Sequence, residues 1–169
     1  DRTIELFGAR FRPNSPHPED RRYVYRPPMS PMPGQASAAI GGRSFDLTAE
    51  LTRAAGDDGV LYASGTQNAG LSVFVQDDRL VVDYNAFDEH TILESDAVVP
   101  VGDSTVVVQV RRADGRVGRM AIEIDGAPAG SIDLPLFMRM MSSAPCTRSS
   151  SSCCRQPISP RARPRRRPR

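Results

Sequence analysis

From Ala36 onward, apolar and polar residues alternate in short runs that are separated by Gly, Asp and Asn. A period of two places alternate side chains on the same face of an extended strand, as for Phe45, Leu47 and Leu51. The pattern predicts strands at Ser44–Leu51, Gly59–Gly65, Leu71–Gln76, Arg79–Asn85, His90–Ser95, Thr105–Arg111, Val117–Ile124 and Ser131–Leu134.

Acidic and Asp-Gly pairs between these runs predict tight turns. Asp77-Asp78 joins two strands of a hairpin, although it lacks the Gly usually favoured at the second position. Asp114-Gly115 and Asp125-Gly126 are stronger turn signals. Short strands at near-regular spacing, without a convincing amphipathic helix, are typical of an all-β chain. We therefore expect an antiparallel β-sandwich or jelly roll over residues 35–141.

The chain on either side of these strands differs in composition. Residues 1–34 are rich in proline, which removes backbone donors and fixes φ, so we expect a connecting segment. Within it, Tyr23–Tyr25 could pair briefly at a sheet edge. Residues 142–169 hold all three cysteines and eight arginines but no carboxylate. We expect this Arg-, Ser-, Pro- and Cys-rich tail to be disordered.

The charge is divided at the same point. Residues 1–141 carry 14 arginines and 20 Asp and Glu, a net charge of −6, and the tail carries +8, which gives +2 overall. An abrupt change to Arg, Pro, Ser and Cys is what a GC-rich gene produces when it is read out of register. We interpret the tail as a frameshift product, and we expect a sandwich that is incomplete at its C-terminal edge, with unpaired backbone groups there.

The run from Asp58 to Asn85 resembles a known family. A strand of type G-V-L-x-x-x-G leads through a glycine loop to a strand of type L-S-V-F-V, and a turn and L-V-x-x-Y-N follow. Phe45–Thr52, Val99–Val110 and Met120–Gly126 agree with the flanking strands in the same order. Together they resemble the C-terminal β-rich region of bacterial arylsulfatases, which is similar to concanavalin-like sandwiches.

The resemblance implies a C-terminal accessory fragment of a sulfuric-ester hydrolase, whose catalytic domain would lie N-terminal to this segment as its partner. In that family a C-x-P-x-R motif matures to formylglycine and acts with a divalent cation such as calcium. This chain contains no C-x-P-x-R. We therefore assign no catalytic, cofactor-binding or metal-binding residue, and expect neither a cofactor in this chain nor activity from it alone.

The residues with catalytic chemistry stand in contexts that do not favour catalysis. His17 lies in a proline-rich loop, and His90 begins a predicted strand beside Asp88 and Glu89. The candidate nucleophiles Ser64 and Thr91 lie in no nucleophile-elbow context. A solvated or structural role is the favoured interpretation of both histidines.

The cysteines and the paired carboxylates are candidate metal ligands. Cys146, Cys153 and Cys154 could form a metal site or a disulfide, but C-x6-C-C matches no zinc framework, and incidental thiols are the favoured interpretation. The acidic pairs could form one weak calcium or glycan site at loop ends, but turn formation is the favoured interpretation. These pairs are Asp57-Asp58, Asp77-Asp78 and Asp88-Glu89.

The alternative function is a stand-alone β-sandwich module that binds carbohydrate or protein. Such a module would present two or three exposed aromatic side chains on a concave sheet. The candidates are Tyr62, Phe74, Tyr84 and Phe87, and alternation turns some of them toward the core. Asn85 could cap the end of its strand or position a loop.

The remaining partner classes are polyanions, nucleic acid and membranes, and charge and hydropathy bear on each. The arginine-rich end, residues 161–169, predicts weak polyanion binding without sequence preference, because no aromatic residue is interleaved to stack bases. We expect no specific nucleic-acid partner. No apolar run is long enough to span a bilayer and no signal peptide is visible, so we expect no membrane partner. The location is left open, with the cytoplasm as the default expectation.

Overall fold

The structure is a computed structural model, and it describes residues 22–26, 29, 32, 37, 38, 40–65, 68–138 and 146–148. The strands of this part of the chain are β1 (Phe45–Arg53), β2 (Gly59–Gly65), β3 (Ala69–Gln76), β4 (Arg79–Ala86), β5 (Glu89–Val98), β6 (Gly102–Arg112), β7 (Gly118–Ile124), β8 (Ala127–Leu134) and β9 (Cys146–Arg148). Every strand predicted from the alternation is present, with differences only at the strand ends.

The strands form two antiparallel sheets, in the orders β1-β6-β7-β8 and β5-β4-β3-β2-β9. Their inner faces share one apolar core, to which the five-stranded sheet contributes Val73 and Val82 and the four-stranded sheet contributes Val108 and Ile122, all of them buried. The predicted all-β fold class, an antiparallel β-sandwich, is confirmed.

Two-residue turns connect several neighbouring strands. Both central residues have positive φ in Asp77-Asp78 (50° and 63°) and in Asp125-Gly126 (50° and 78°). Turns with two positive φ values match the right-handed twist of the strands that they join. The predicted turns at these two positions are confirmed. A third turn of this kind, Phe87-Asp88 (55° and 67°), connects β4 to β5 and overlaps the Asp88-Glu89 pair for which turn formation is the favoured interpretation.

The structure differs from the expectation of a disordered tail at residues 146–148. These residues form β9, which pairs with β2 through Val60 opposite Arg148 and Ala63 opposite Cys146. Without β9, β2 would be an edge strand, and the unpaired backbone groups of an edge favour addition of another segment. Cys153, Cys154 and the arginine-rich end lie outside the described residues, as does His17.

Tyr25, in the predicted connecting segment, packs on the sandwich. Its hydroxyl accepts a hydrogen bond from the backbone N–H of Ala38 at 2.8 Å, and its ring centroid lies 6.3 Å from that of Tyr62. The suggested edge pairing of Tyr23–Tyr25 is wrong, because these residues are not in a strand and Tyr25 contributes a side-chain contact instead. In the part of the chain that is described, no helix has the length and apolarity needed to cross a bilayer.

Candidate functional site

The turn between β4 and β5 exposes an aromatic side chain on an unusual backbone. Phe87 is 68% exposed, and its φ of 55° lies in the left-handed region. This region is uncommon for residues other than Gly, Asn and Asp because Cβ crowds the following carbonyl oxygen. Strained residues of this kind cluster at functional sites, so the surroundings of Phe87 form a candidate functional site.

Polar side chains lie beside this turn on the outer face of the five-stranded sheet. Nδ1 of His90 lies 2.8 Å from Oδ1 and 2.9 Å from Oδ2 of Asp83. Oδ1 of Asn85 accepts a hydrogen bond from the backbone N–H of Asp88 at 2.9 Å, so Asn85 supports the turn as well as facing outward. Asn85 also lies directly opposite His90 in the register of β4 and β5.

Alternation along β4 explains why these side chains point outward. Leu80, Val82 and Tyr84 are buried in the core, whereas Asp83 and Asn85, between and after them, are only half-buried. The tight turn then fixes the register of β4 and β5. In this register His90 lies directly opposite Asn85 and diagonally opposite Asp83. A slip by one residue would turn the apolar set outward and lose the core.

Two glycines extend the same row across β3 and β2. Gly70 lies opposite Asn85, and Gly65 lies opposite Gly70. A Cβ at Gly65 would lie 2.4 Å from the carbonyl oxygen of Ala69, so only glycine fits there. The row therefore has no side chain beside Asn85, and Gly70 itself is buried. We call Gly65, Gly70, Asp83, Asn85, Phe87 and His90 together the β4–β5 face.

The structure does not bring the candidate nucleophiles to His90. Ser64 is buried on the inner face of β2, where its hydroxyl has no hydrogen-bond partner among the described residues. Thr91 follows His90 in β5, so alternation places it on the opposite face of the sheet. The pair of His90 and Asp83 thus offers hydrogen-bonding atoms to a ligand without an adjacent hydroxyl from either candidate.

The four candidate aromatic residues separate into two classes. Tyr62 and Tyr84 are buried, and burial raises the pKa of Tyr62 to about 12 and also raises the pKa of Tyr84. Phe74 is partly buried in β3, and Phe87 is well exposed. Among these four, Phe87 therefore presents the most ring surface to a ligand.

The paired carboxylates act as turn residues. Oδ2 of Asp57 accepts a hydrogen bond from the backbone N–H of Ala54 at 2.8 Å, and Asp77, Asp78 and Asp88 occupy the left-handed turn positions. In the described part of the chain, no group of three or more His, Cys, Asp or Glu residues is arranged to hold a metal ion.

A buried arginine at the opposite end of the sandwich was missed by the sequence analysis. Arg53, 6% exposed, forms an ion pair with Asp78 and donates to the carbonyl oxygen of Val99. It thereby ties the end of β1 to the β3–β4 turn of the other sheet. The signal was present in the sequence, because Arg53 continues the inward-facing phase of Phe45, Leu47 and Leu51.

Comparison with known proteins adds little to this geometry. No protein-family model matches the chain, and no curated protein matches it at a significant level. Among solved structures, the chain is similar to a native heptameric SAP-like pentraxin from Limulus polyphemus, with a TM-score of 0.43 and 16% identity. The match covers 63% of this chain and 53% of that chain, so the chain spans about half the length of the pentraxin.

Proposed function

We propose that this chain is a β-sandwich module that binds carbohydrate through the β4–β5 face. The observation that carries the proposal is Phe87, which is exposed on a left-handed backbone beside the Asp83–His90 pair and Asn85. An exposed phenyl ring in this conformation costs stability without adding to the core. A ligand that covers the ring gives a physical reason for keeping it.

The chemistry of the β4–β5 face suits a sugar ring. The apolar C–H face of a pyranose can pack on the ring of Phe87, and hydroxyl groups need donors and acceptors close by. The Asp83 carboxylate supplies acceptors, and Nδ1 of His90 holds that carboxylate in place. Stable protein partners bury about 800 Å² on each side, usually around several large anchors, so the single aromatic of this face favours the smaller ligand.

The experiment is a glycan array probed with the full chain, followed by calorimetric titration of the strongest ligand. Phe87→Ala should weaken binding of that ligand at least about tenfold, a loss of roughly 1.4 kcal/mol. Val101→Ala is the matched control, because Val101 is 62% exposed and follows β5 at the opposite end of the sandwich. The control should bind as the unchanged chain does.

Two results would overturn this function. One is an array on which no glycan retains the chain, and the other is a ligand that binds Phe87→Ala and the unchanged chain equally. Binding of a protein partner instead of a glycan would support a protein-binding module and reject the carbohydrate assignment.

A second proposed function is that of an accessory region attached to an arylsulfatase-like catalytic domain. It is supported by the order of the sequence motifs, in which Asp58–Asn85 is preceded and followed by the expected strand patterns. The test is whether the coding sequence upstream specifies a C-x-P-x-R motif. A colorimetric aryl sulfate assay of this chain alone should give no turnover, and measurable turnover would contradict the accessory role.

A further inference from the structure

We propose that β5 is the interface of a homodimer, in which two copies pair antiparallel along this strand and join their five-stranded sheets. Among the residues that the structure describes, β5 pairs with β4 alone and forms one end of its sheet. Ile92, in the middle of β5, is 51% exposed on the outer face. The interface does not depend on the proposed carbohydrate binding.

The hairpin geometry decides which backbone groups of β5 point toward the free edge. Ala86 and Glu89 close a two-residue turn and so form a hydrogen-bonded pair. Bonded and non-bonded pairs alternate along an antiparallel ladder, so the N–H and C=O groups of Thr91 and Leu93 point to β4. Those of His90, Ile92 and Glu94 therefore point away from it.

These three residues are placed symmetrically about Ile92. A two-fold axis at Ile92 puts Ile92 opposite Ile92 of the second copy, and puts His90 opposite Glu94 of the second copy in both directions. All three pairs are of the bonded kind, and each exchanges two backbone hydrogen bonds. Their side chains share the outer face, so an apolar pair is flanked by two pairs of histidine and glutamate.

The pairing of the exposed Ile92 with itself selects this register over its neighbours. Moving the axis by one residue, to Thr91 or Leu93, would put Ile92 opposite His90 or opposite Glu94 of the second copy. Moving it by two residues, to His90 or Glu94, would put that residue against itself. Like charges directly opposite one another are destabilising.

Within the copy, Nδ1 of His90 bonds to Asp83, and Oε1 of Glu94 pairs with Nε of Arg79 at 3.2 Å. Nε2 of His90 and Oε2 of Glu94 are therefore the atoms that meet between the two copies.

β8 of the other sheet passes close to the β5 edge at Glu94. A Cβ at Gly130 would lie 3.5 Å from the carbonyl oxygen of Glu94, and glycine adds no side chain to this approach. β8 is itself an edge strand, but it contains Pro128, which has no N–H to donate, so it suits self-pairing less well than β5 does.

The test is the mass of the full chain in solution, measured by sedimentation equilibrium under reducing conditions. The expected mass at tens of micromolar is twice the monomer value of 18.4 kDa. Ile92→Arg should return the mass to that of the monomer, because it places two arginines against each other at the axis. Val117→Arg, at an exposed residue before β7, is the control and should stay dimeric.

A cysteine variant tests the register itself. Bonded pairs have Cα atoms about 5.5 Å apart, which lies within the range of a disulfide. Ile92→Cys, made with Cys146, Cys153 and Cys154 changed to Ser, should become a covalent dimer on mild oxidation, whereas Val101→Cys in the same background should not. The proposal is overturned by a monomeric mass of the unchanged chain at every concentration, by an unchanged mass of Ile92→Arg, or by equal crosslinking of both cysteine variants. Circular dichroism of each variant confirms that it is folded.

Discussion

Two turns of the five-stranded sheet have the same backbone and opposite surroundings. Asp77-Asp78 and Phe87-Asp88 each join neighbouring strands through two residues of positive φ. At the first turn, the Asp78 carboxylate forms an ion pair with the buried Arg53. The backbone carbonyl oxygen of Asp78 accepts a hydrogen bond from the N–H of Val99 at 2.7 Å. At the second, Phe87 faces solvent. The turn conformation is local, but its role depends on what the rest of the fold places beside it.

The first turn joins the sheets, whereas the second presents a surface. Arg53 reaches the first turn from β1, which belongs to the other sheet. The second turn is supported from its own sheet, by Asn85 of β4. We therefore expect substitutions at the first turn to change the free energy of unfolding, and substitutions at the second to change binding more than stability.

The largest effect is expected for Arg53→Ala. The change removes the ion pair, leaves the Val99 carbonyl without this donor and opens a cavity where the side chain was packed, so the free energy of unfolding should fall by about 2–4 kcal/mol. Denaturant titration measures the loss. The control is Arg119→Ala, because the Arg119–Asp133 pair is exposed and should contribute less than about 1 kcal/mol. Equal losses for the two variants would remove the distinction between the turns.

The same substitution should have opposite signs in the two turns. Asp78→Gly deletes the partner of a buried arginine and should destabilise the protein by about 1–3 kcal/mol. Asp88→Gly places the residue most tolerant of positive φ at the same turn position and should be neutral or stabilising by up to about 1 kcal/mol. The two urea midpoints should move in different directions. Two stabilised variants would show that the ion pair of Asp78 contributes nothing.

Phe87→Asn should separate stability from binding. Asparagine tolerates the left-handed region better than phenylalanine, so the free energy of unfolding should rise by about 0.5–1 kcal/mol. Binding of the ligand found on the array should fall, because the ring is lost. Thermal melts and calorimetric titration of one preparation measure both. A destabilised variant would instead mean that the Phe87 ring packs against the protein.

The smallest change in the free energy of unfolding at neutral pH is expected for Tyr62, which lies in the core. The hydroxyl of Tyr62 is buried without a hydrogen-bond partner among the described residues, so Tyr62→Phe should change stability by less than about 1 kcal/mol. The pKa of Tyr62 is raised from 10.0 to about 12, so its contribution is complete below pH 10 and is lost as the pH rises toward 12.

Unfolding curves at pH 9 and pH 11 measure that alkaline loss. It should be smaller in Tyr62→Phe than in the unchanged chain. Equal losses would contradict the role of Tyr62.

Much of the fold could be predicted because its causes are local. Alternation set the phase of β1 to β8, and the pairs Asp77-Asp78 and Asp125-Gly126 marked two of the tight turns. The acidic pair Asp88-Glu89 also indicated a turn, but Phe87 was not expected as one of its central residues, because phenylalanine is not a turn residue by propensity. β9 was missed because a segment that is added to an open edge is selected by that edge rather than by its own composition.

By itself, the sequence determined which residues are extended, which side of each strand faces the core, and that the structure is a sandwich, because side-chain periodicity acts within single strands. The tertiary structure alone decided that Arg53 meets Asp78, that Asp83 meets His90 beside Phe87, and that His90, Ile92 and Glu94 share one free edge. These contacts depend on strand order and register, which arise only when the two sheets pack together.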